Sequence, residues 1–175
     1  MKLLSTAVAR ELGFTFKVLT LDEMSLAGFN FDHAIENKRL SQQCSIDTLY
    51  RCYKSNLIEF SFIPFEIYEC EGGCDKLIED LARVSMYTED VAGKAEMRDL
   101  FDNWLLTQIV LTEVGENVYN EFFGNDDKRF YSNTDGGKEL LYTDAEMIPF
   151  SEEICRIFEE NGVPWSDEPL IPLKF

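Results

Sequence analysis

Apolar residues recur at helical spacing along much of this 175-residue chain, and this periodicity limits its fold more than any other feature. Three such stretches predict helices over about 75–86, 89–123 and 151–160. In the first of them, Leu77 and Leu81 are one turn apart and therefore share a face. Helices of this kind bury their apolar sides against a common core.

Two other stretches favour β-structure. Residues 57–70 are rich in Phe, Ile and Tyr, but Pro64 cannot donate to a strand ladder, which predicts two short strands or an edge strand. The Asp-Gly and Gly-Gly steps at 135–137 can adopt positive φ and predict a hairpin near 128–143. We therefore expect an α+β fold, with several helices packed on a small, largely antiparallel sheet.

The N-terminal segment shows both periodicities. Residues 5–12 predict a short helix. Phe14, Phe16 and Val18 then occupy alternate positions, which is typical of a strand. Helical spacing returns over 46–55 and predicts another helix there.

Length and composition predict one domain. Hydrophobic residues make up 45% of the chain, including 14 Phe and 7 Tyr, so enough apolar area is present for a substantial core. We expect a single domain over 1–175, with a division into two lobes, 1–58 and 59–175, as the alternative. The sequence has neither a run of about 18 apolar residues nor a recognisable export signal, so a cytoplasmic protein is expected.

The charge is strongly negative and unevenly distributed. The chain has 33 acidic residues against 16 Lys and Arg, a formal net charge of −17. Residues 1–58 hold seven basic and six acidic residues, a balance of +1, whereas 59–175 hold nine basic and 27 acidic residues, a balance of −18. Such a field repels nucleic acid and anionic membranes and attracts basic surfaces. Direct binding to nucleic acid or to a membrane is therefore not expected.

Four of the five cysteines are the candidate ligands for a metal ion. Cys70-Glu-Gly-Gly-Cys74 could form the tight turn that brings two thiolates to zinc. Cys44 and Cys52 have seven residues between them, too many for a second such turn. An odd number of cysteines also argues against a disulfide framework. We expect separate, small buried thiols rather than a metal site.

Other candidates for chemistry lack a supporting pattern. His33, the one histidine, has Asp32 beside it in sequence but no signature of a nucleophile, so a surface position is expected. Asp126 and Asp127 are the carboxylates best placed in a loop for Mg²⁺, yet the alternating ligands of a calcium loop are missing. The glycine pairs lack the flanking residues of phosphate-binding loops. No catalytic residue, cofactor or metal is therefore predicted.

Rows of acidic residues are the remaining candidate for a partner-binding surface. On the predicted last helix, Glu152 and Glu159 are two turns apart, as are Glu153 and Glu160. Regularly spaced carboxylates can approximate the charge of a nucleic-acid backbone. The alternative is that these acids only increase solubility. The candidate partner-binding residues are Glu66, Glu69, Glu71, Asp75, Glu79, Asp80, Asp126, Asp127, Glu152, Glu153, Glu159 and Glu160.

This composition is similar to that of acidic DNA-mimic inhibitors from phages and mobile elements, which block restriction enzymes or CRISPR effectors. The similarity is one of size and charge, without a shared motif. We therefore hypothesise a non-enzymatic inhibitor or adaptor that binds a basic surface of a nucleic-acid-processing enzyme. The alternatives are an immunity or antitoxin protein that masks a basic toxin, and a small metal-dependent enzyme.

Overall fold

The computed structural model describes residues 2–68, 72–124 and 142–175. Its α-helices are α1 (Thr6–Leu19), α2 (Lys38–Lys54), α3 (Gly73–Leu81), α4 (Thr88–Val91), α5 (Arg98–Leu106), α6 (Glu113–Phe123) and α7 (Asp144–Glu160). Its strands are β1 (Met24–Ser25), β2 (Ile58–Phe62) and β3 (Gln108–Leu111). Short 3₁₀ turns lie at Leu26–Gly28, Glu66–Tyr68 and Ala95–Met97.

The three strands form an antiparallel sheet in the order β1-β3-β2. Ile109 of β3 pairs with Met24 on one side and with Phe60 on the other, and its side chain is fully buried. The helices pack around this small sheet, which confirms the α+β fold predicted from the sequence. The predicted hairpin near 128–143 falls almost wholly on residues 125–141, which lie outside the described part of the chain.

Helix α1 continues through the segment for which alternating Phe14, Phe16 and Val18 predict a strand, so that prediction is wrong. Leu12 and Phe16 are four residues apart, and a helix buries both of them completely on one side. Phe16 meets Phe150 of α7 edge to face, with 6.2 Å between ring centroids. The helical arrangement prevails here because it places these large side chains in the core.

The predicted continuous helix over 89–123 is also wrong, because the structure divides this stretch into α4, α5, β3 and α6. Gly93 lies just beyond α4 with a φ of 80°, which glycine adopts without steric cost. The β-branched Ile109 then favours a strand, and it is buried at the centre of the sheet. Thr112 starts α6 by accepting a hydrogen bond from the Gly115 N–H at 3.2 Å.

The helix predicted over 151–160 begins seven residues earlier, at the start of α7. Thr143 and Glu146 form a capping box there, in which each side chain accepts a hydrogen bond from the other residue's backbone N–H. Ser151, at the predicted start, lies inside the helix and donates its hydroxyl to the Leu4 carbonyl at 3.0 Å. The predicted start was therefore too late.

Two other predicted helices are confirmed with different bounds. The helix predicted over 75–86 corresponds to α3, which ends at Leu81. The helix predicted over 46–55 is the C-terminal part of α2. Helix α2 begins at Lys38 because the Asn37 side chain accepts a hydrogen bond from the Leu40 N–H at 3.0 Å.

One buried cluster joins residues from both halves of the sequence. It includes Phe16 and Leu49 from the first 58 residues and Trp104, Phe150 and Phe158 from the rest. The division into two lobes stays a prediction. Within the described ranges, the structure contains no helix with the length and apolar character needed to cross a membrane.

Candidate functional site

A surface groove of about 480 Å³ runs between α6 and α7 beside the C-terminal end of α2, and we call it the α6/α7 groove. Its carboxylates come from both helices, with Glu121 on α6 and Glu153 and Glu160 on α7. Glu153 and Glu160 are seven residues apart, so they lie on one side of α7 about 10 Å apart along its axis. The groove therefore brings together two of the acids chosen from the sequence and one that was not.

The walls of the groove are partly apolar. Val114 and Val118 are four residues apart on α6, and Ile157 faces them from α7. Val118 and Ile157 are 7% and 8% exposed, whereas Val114 remains 41% exposed. The carboxylates thus surround apolar surface that an aliphatic side chain can cover.

Arg156 also lines the groove and binds two of its acids. Its Nε and Nη2 donate to the two carboxylate oxygens of Glu153 at 2.8 and 2.6 Å, and its Nη1 donates to Glu160. These bonds lower the pKa of Glu153 below its ordinary value. Three carboxylates and one guanidinium give the groove lining a formal charge of −2.

Glu121 differs from the other two acids. It is exposed, and within the described part of the chain it makes no hydrogen bond or ion pair. Among the described residues, no internal contact of its carboxylate would have to break before it binds a cation.

A close backbone approach at Gly115 positions α6 beside the end of α2. A Cβ atom at Gly115 would overlap the carbonyl oxygen of Leu57, so only glycine allows this contact. The Thr112 N–H donates to the same carbonyl at 3.1 Å, and the Thr112 hydroxyl donates to the Asn56 carbonyl. Asn56 and its neighbour Ser55 consequently border the groove.

The other two acids of the predicted last helix point elsewhere. Glu152 and Glu159 are exposed, and one residue along a helix corresponds to about 100° of rotation from Glu153 and Glu160. They extend the acidic surface of α7 outside the groove. All four side chains lie outside the buried stripe of α7, although Glu153 is only 25% exposed.

The acids predicted around α3 do not form one surface. Glu66 and Glu79 are exposed, whereas Asp75 pairs with Lys54, whose Nζ lies 2.6 Å from Asp75 Oδ1. Asp80 is only 4% exposed and belongs to the interior. The predicted partner-binding residues outside the described part of the chain are Glu69, Glu71, Asp126 and Asp127.

Asp80 is the centre of a polar network under α3. The Tyr68 hydroxyl donates to it at 3.0 Å, Lys76 donates from one turn earlier, and Arg83 Nη1 lies 3.4 Å from it. Asn103 of α5 donates to the Tyr68 hydroxyl at 3.2 Å. Burial and the bond to Asp80 raise the pKa of Tyr68. The network joins α3 to α5, which is a structural role.

The candidate metal ligands do not converge in the described residues. Cys44 and Cys74 are half-buried, Cys52 is buried, and all three are free thiols, while Cys70 is outside the described part. Burial raises the pKa of the Cys44 thiol to about 12, which disfavours the thiolate that a metal needs. No group of three or more potential His, Cys, Asp or Glu ligands occurs within the described ranges. His33 lies exposed on the surface.

A second concave region carries the opposite charge. Two adjoining pockets of about 220 and 290 Å³ share Val91 and Lys94, with Arg83 at the first and Arg98 at the second. The described residues that line them include three cations and one acid, Asp90, which is not among the acids chosen from the sequence. The acidic surface therefore does not continue into this region.

Sequence reasoning missed the α6 side of the groove. Glu121 and Val118 appeared to belong to one long helix, so nothing placed them opposite α7. Thr112 before Glu113 is the local signal that a new helix starts there. That signal could have separated α6 from the preceding residues.

No protein-family model matches this chain, and neither a curated protein nor a solved structure shows significant similarity to it. Its function is therefore inferred from the geometry and charge of the α6/α7 groove.

Proposed function

We propose that this protein is a non-enzymatic inhibitor or adaptor that binds a basic surface of a nucleic-acid-processing enzyme through the α6/α7 groove. The observation that supports this proposal most is the convergence of Glu121, Glu153 and Glu160 around apolar wall residues. Lys and Arg form strong, charge-assisted hydrogen bonds to carboxylates, and their aliphatic stems cover apolar surface. The groove offers both kinds of contact to one cationic partner.

The proposed class of partner follows from charge. Enzymes that hold nucleic acids present Lys and Arg to the phosphate backbone. Carboxylates on one helix face, such as Glu153 and Glu160, can meet those cations in place of phosphates. A formal net charge of −17 would accelerate the encounter with such a surface, because opposite potentials steer diffusion. Defence nucleases of the restriction or CRISPR type are the proposed targets.

The exposed acids outside the groove would widen the contact. Glu152 and Glu159 continue the negative surface along α7, and Glu66 and Glu79 add exposed charge elsewhere on the molecule. Exposed ion pairs contribute only about 0–1 kcal/mol each. Affinity would therefore depend mainly on the partly enclosed contacts in the groove.

The proposal is tested by affinity capture with a charge-reversed variant. The full chain and Glu121→Lys/Glu160→Lys are immobilised, and proteins retained from a bacterial lysate are identified by mass spectrometry. The matched control is Glu96→Lys/Glu168→Lys, which changes the net charge equally at two exposed residues outside the groove lining. We expect the wild type and the control to retain a nucleic-acid-processing enzyme that excess DNA releases, and the groove variant to lose it.

Other results would contradict the proposal. Equal capture by all three proteins would show that the groove acids do not bind the partner. A captured basic toxin would favour the immunity or antitoxin role instead. Salt dependence gives an independent check, because binding through these carboxylates should weaken as ionic strength rises.

A further inference from the structure

The two adjoining pockets that share Val91 and Lys94 form a cleft between α4 and α5, which we call the α4/α5 cleft. Three cations and one acid line it, a formal charge of +2, and they are Arg83, Lys94, Arg98 and Asp90. Residues 59–175 as a whole hold 27 acidic residues against nine basic ones. Three of those nine bases therefore converge on one concave surface, although the chain around them is strongly acidic.

Two of the three cations are available to a ligand. Lys94 and Arg98 are exposed, and they make no hydrogen bond or ion pair with any residue that the structure describes. Glu96 and Asp99, their exposed neighbours in sequence, do not belong to the lining of the cleft. The positive charge on this side of the cleft is therefore free to bind an anion.

The other two charged lining residues have internal partners. The Ser85 hydroxyl donates to Asp90 Oδ2 at 2.6 Å, and Arg83 Nη1 lies 3.4 Å from Asp80 Oδ1. The Arg83 side chain nevertheless remains 52% exposed, and a guanidinium has five N–H donors. An anion in the cleft therefore meets two cations without described partners and a third with donors to spare.

Apolar side chains form the rest of the cleft wall. They are Val84, Val91, Met97, Phe101 and Phe175. The segment that carries Phe175 is held in place, because the Lys174 N–H donates to the Ala82 carbonyl at 2.7 Å and the Arg39 guanidinium lies 5.2 Å from the Phe175 ring centroid. The cleft thus combines cations with apolar surface, which suits a ligand that has both a charged group and an apolar body.

The charge of the whole molecule limits the size of that ligand. A field from a formal net charge of −17 opposes an anion in proportion to the anion's own charge, so a nucleic-acid strand is strongly disfavoured. A molecule with one or two negative charges is repelled much less, and the three nearby cations can offset that repulsion. Volumes of about 220 and 290 Å³ in two adjoining pockets also suit a small molecule.

We propose that the α4/α5 cleft binds a small organic anion in which a phosphate or carboxylate group is joined to an apolar body. Lys94 and Arg98 bind the oxyanion through charge-assisted hydrogen bonds, and the apolar body packs on Val91 and extends towards Phe175. The cleft shares no lining residue with the α6/α7 groove. This inference therefore goes beyond the proposed function and does not depend on it.

The test uses four probes: phenyl phosphate, 3-phenylpropionate, its neutral analogue 3-phenylpropanamide, and inorganic phosphate. Each is titrated at low salt into the full, isotope-labelled chain and followed by NMR. We expect phenyl phosphate and 3-phenylpropionate to shift the resonances of Val91, Lys94 and Arg98. The amide and inorganic phosphate should bind at least about tenfold more weakly, because each lacks one of the two kinds of contact. The tighter of the two aromatic anions identifies the preferred charged group.

Two variants test the residues directly. Lys94→Gln/Arg98→Gln should weaken both aromatic anions at least about tenfold, because the charge-assisted hydrogen bonds are lost. Phe175→Ala should weaken them about threefold through lost apolar contact. The control Lys2→Gln/Lys38→Gln removes the same charge at two exposed residues outside the cleft lining and should bind as the wild type does. Far-ultraviolet circular dichroism and the melting temperature establish that each variant is folded.

Four results would overturn the anion site: no binding of either aromatic anion, equally tight binding of the amide, equally tight binding of inorganic phosphate, or an equal loss of affinity in the control variant. Equal binding of the amide would mean that the cleft is only an apolar pocket. An equal loss in the control would mean that overall charge, and not Lys94 and Arg98, determines binding. These results leave the α6/α7 groove untouched, because partner capture with Glu121→Lys/Glu160→Lys tests that proposal separately.

Discussion

Asp80 on α3 and Glu121 in the α6/α7 groove have the same chemistry but opposite situations. Asp80 on α3 is buried and bound by Tyr68, Lys76 and Arg83. Glu121 in the groove is exposed and makes no ion pair with any described residue. A carboxylate of the first kind holds the fold together, and one of the second kind is available to a partner. Net charge alone does not distinguish them.

The comparison changes which acids the proposed partner can reach. Asp75 and Asp80 appear in the sequence as part of one acidic row with Glu79, yet both have internal cations. The groove combines Glu121 with Glu153 and Glu160, which no row in the sequence contains. The number of acidic residues therefore overstates the charge that a partner can reach.

The largest expected effect is a loss of folding stability caused by the substitution Asp80→Ala. Its removal leaves the buried Tyr68 hydroxyl and two cations without their shared acceptor, so we expect a loss of about 3 kcal/mol in the free energy of unfolding. Asp75→Ala is the control in the same helix, and its partly exposed pair with Lys54 should cost less than about 1 kcal/mol. Urea denaturation measures both. Similar losses for the two variants would remove the distinction between buried and exposed acids of α3.

The next largest effect is a change in the affinity for the partner, caused by the substitution Arg156→Gln. Arg156 holds both Glu153 and Glu160, so its removal changes the formal charge of the groove lining from −2 to −3. We expect the captured basic partner to bind about five- to tenfold more tightly at low salt, with a smaller gain at high salt. Isothermal titration calorimetry at two ionic strengths measures this change. Weaker binding would instead show that Arg156 itself contacts the partner.

The smallest effect is the pH dependence of the Glu153–Arg156 pair. Because Arg156 lowers the pKa of Glu153 in the folded protein, the pair stabilises the fold fully above the ordinary pKa near 4.5. This contribution is lost as the pH falls through the lowered value. Glu153→Gln should therefore cost about 0.3–0.5 kcal/mol at pH 7, a cost that disappears in acid. Urea denaturation at pH 7 and pH 3 tests this, and an equal cost at both would exclude an ionic origin.

Local patterns in the sequence were sufficient for the fold class and for the presence of α3 and α7. They failed where tertiary packing decided the outcome. Phe14, Phe16 and Val18 alternate like a strand, but the core contact between Phe16 and Phe150 requires a helix. The four-residue strand β3 was missed because its neighbours on both sides are helical.

The candidate site was only partly predictable for the same reason. Glu153 and Glu160 are related by helical spacing, which the sequence displays directly. The position of Glu121 opposite them depends on how α6 packs against α7, and no local pattern in the sequence predicts this packing. The burial of Asp80 depends on Tyr68 and, through it, on Asn103 more than twenty residues away.

The contact at Gly115 has a consequence for how the groove can change. Main-chain atoms, and not side chains, set the distance between α6 and the turn after α2, since Gly115 rests directly against the Leu57 carbonyl. Other α6 side chains, such as Val114 and Glu121, can therefore be exchanged without changing that distance. The α6 residues that line the proposed binding groove can thus be exchanged one at a time while this main-chain contact stays in place, which makes the groove a suitable target for redesign.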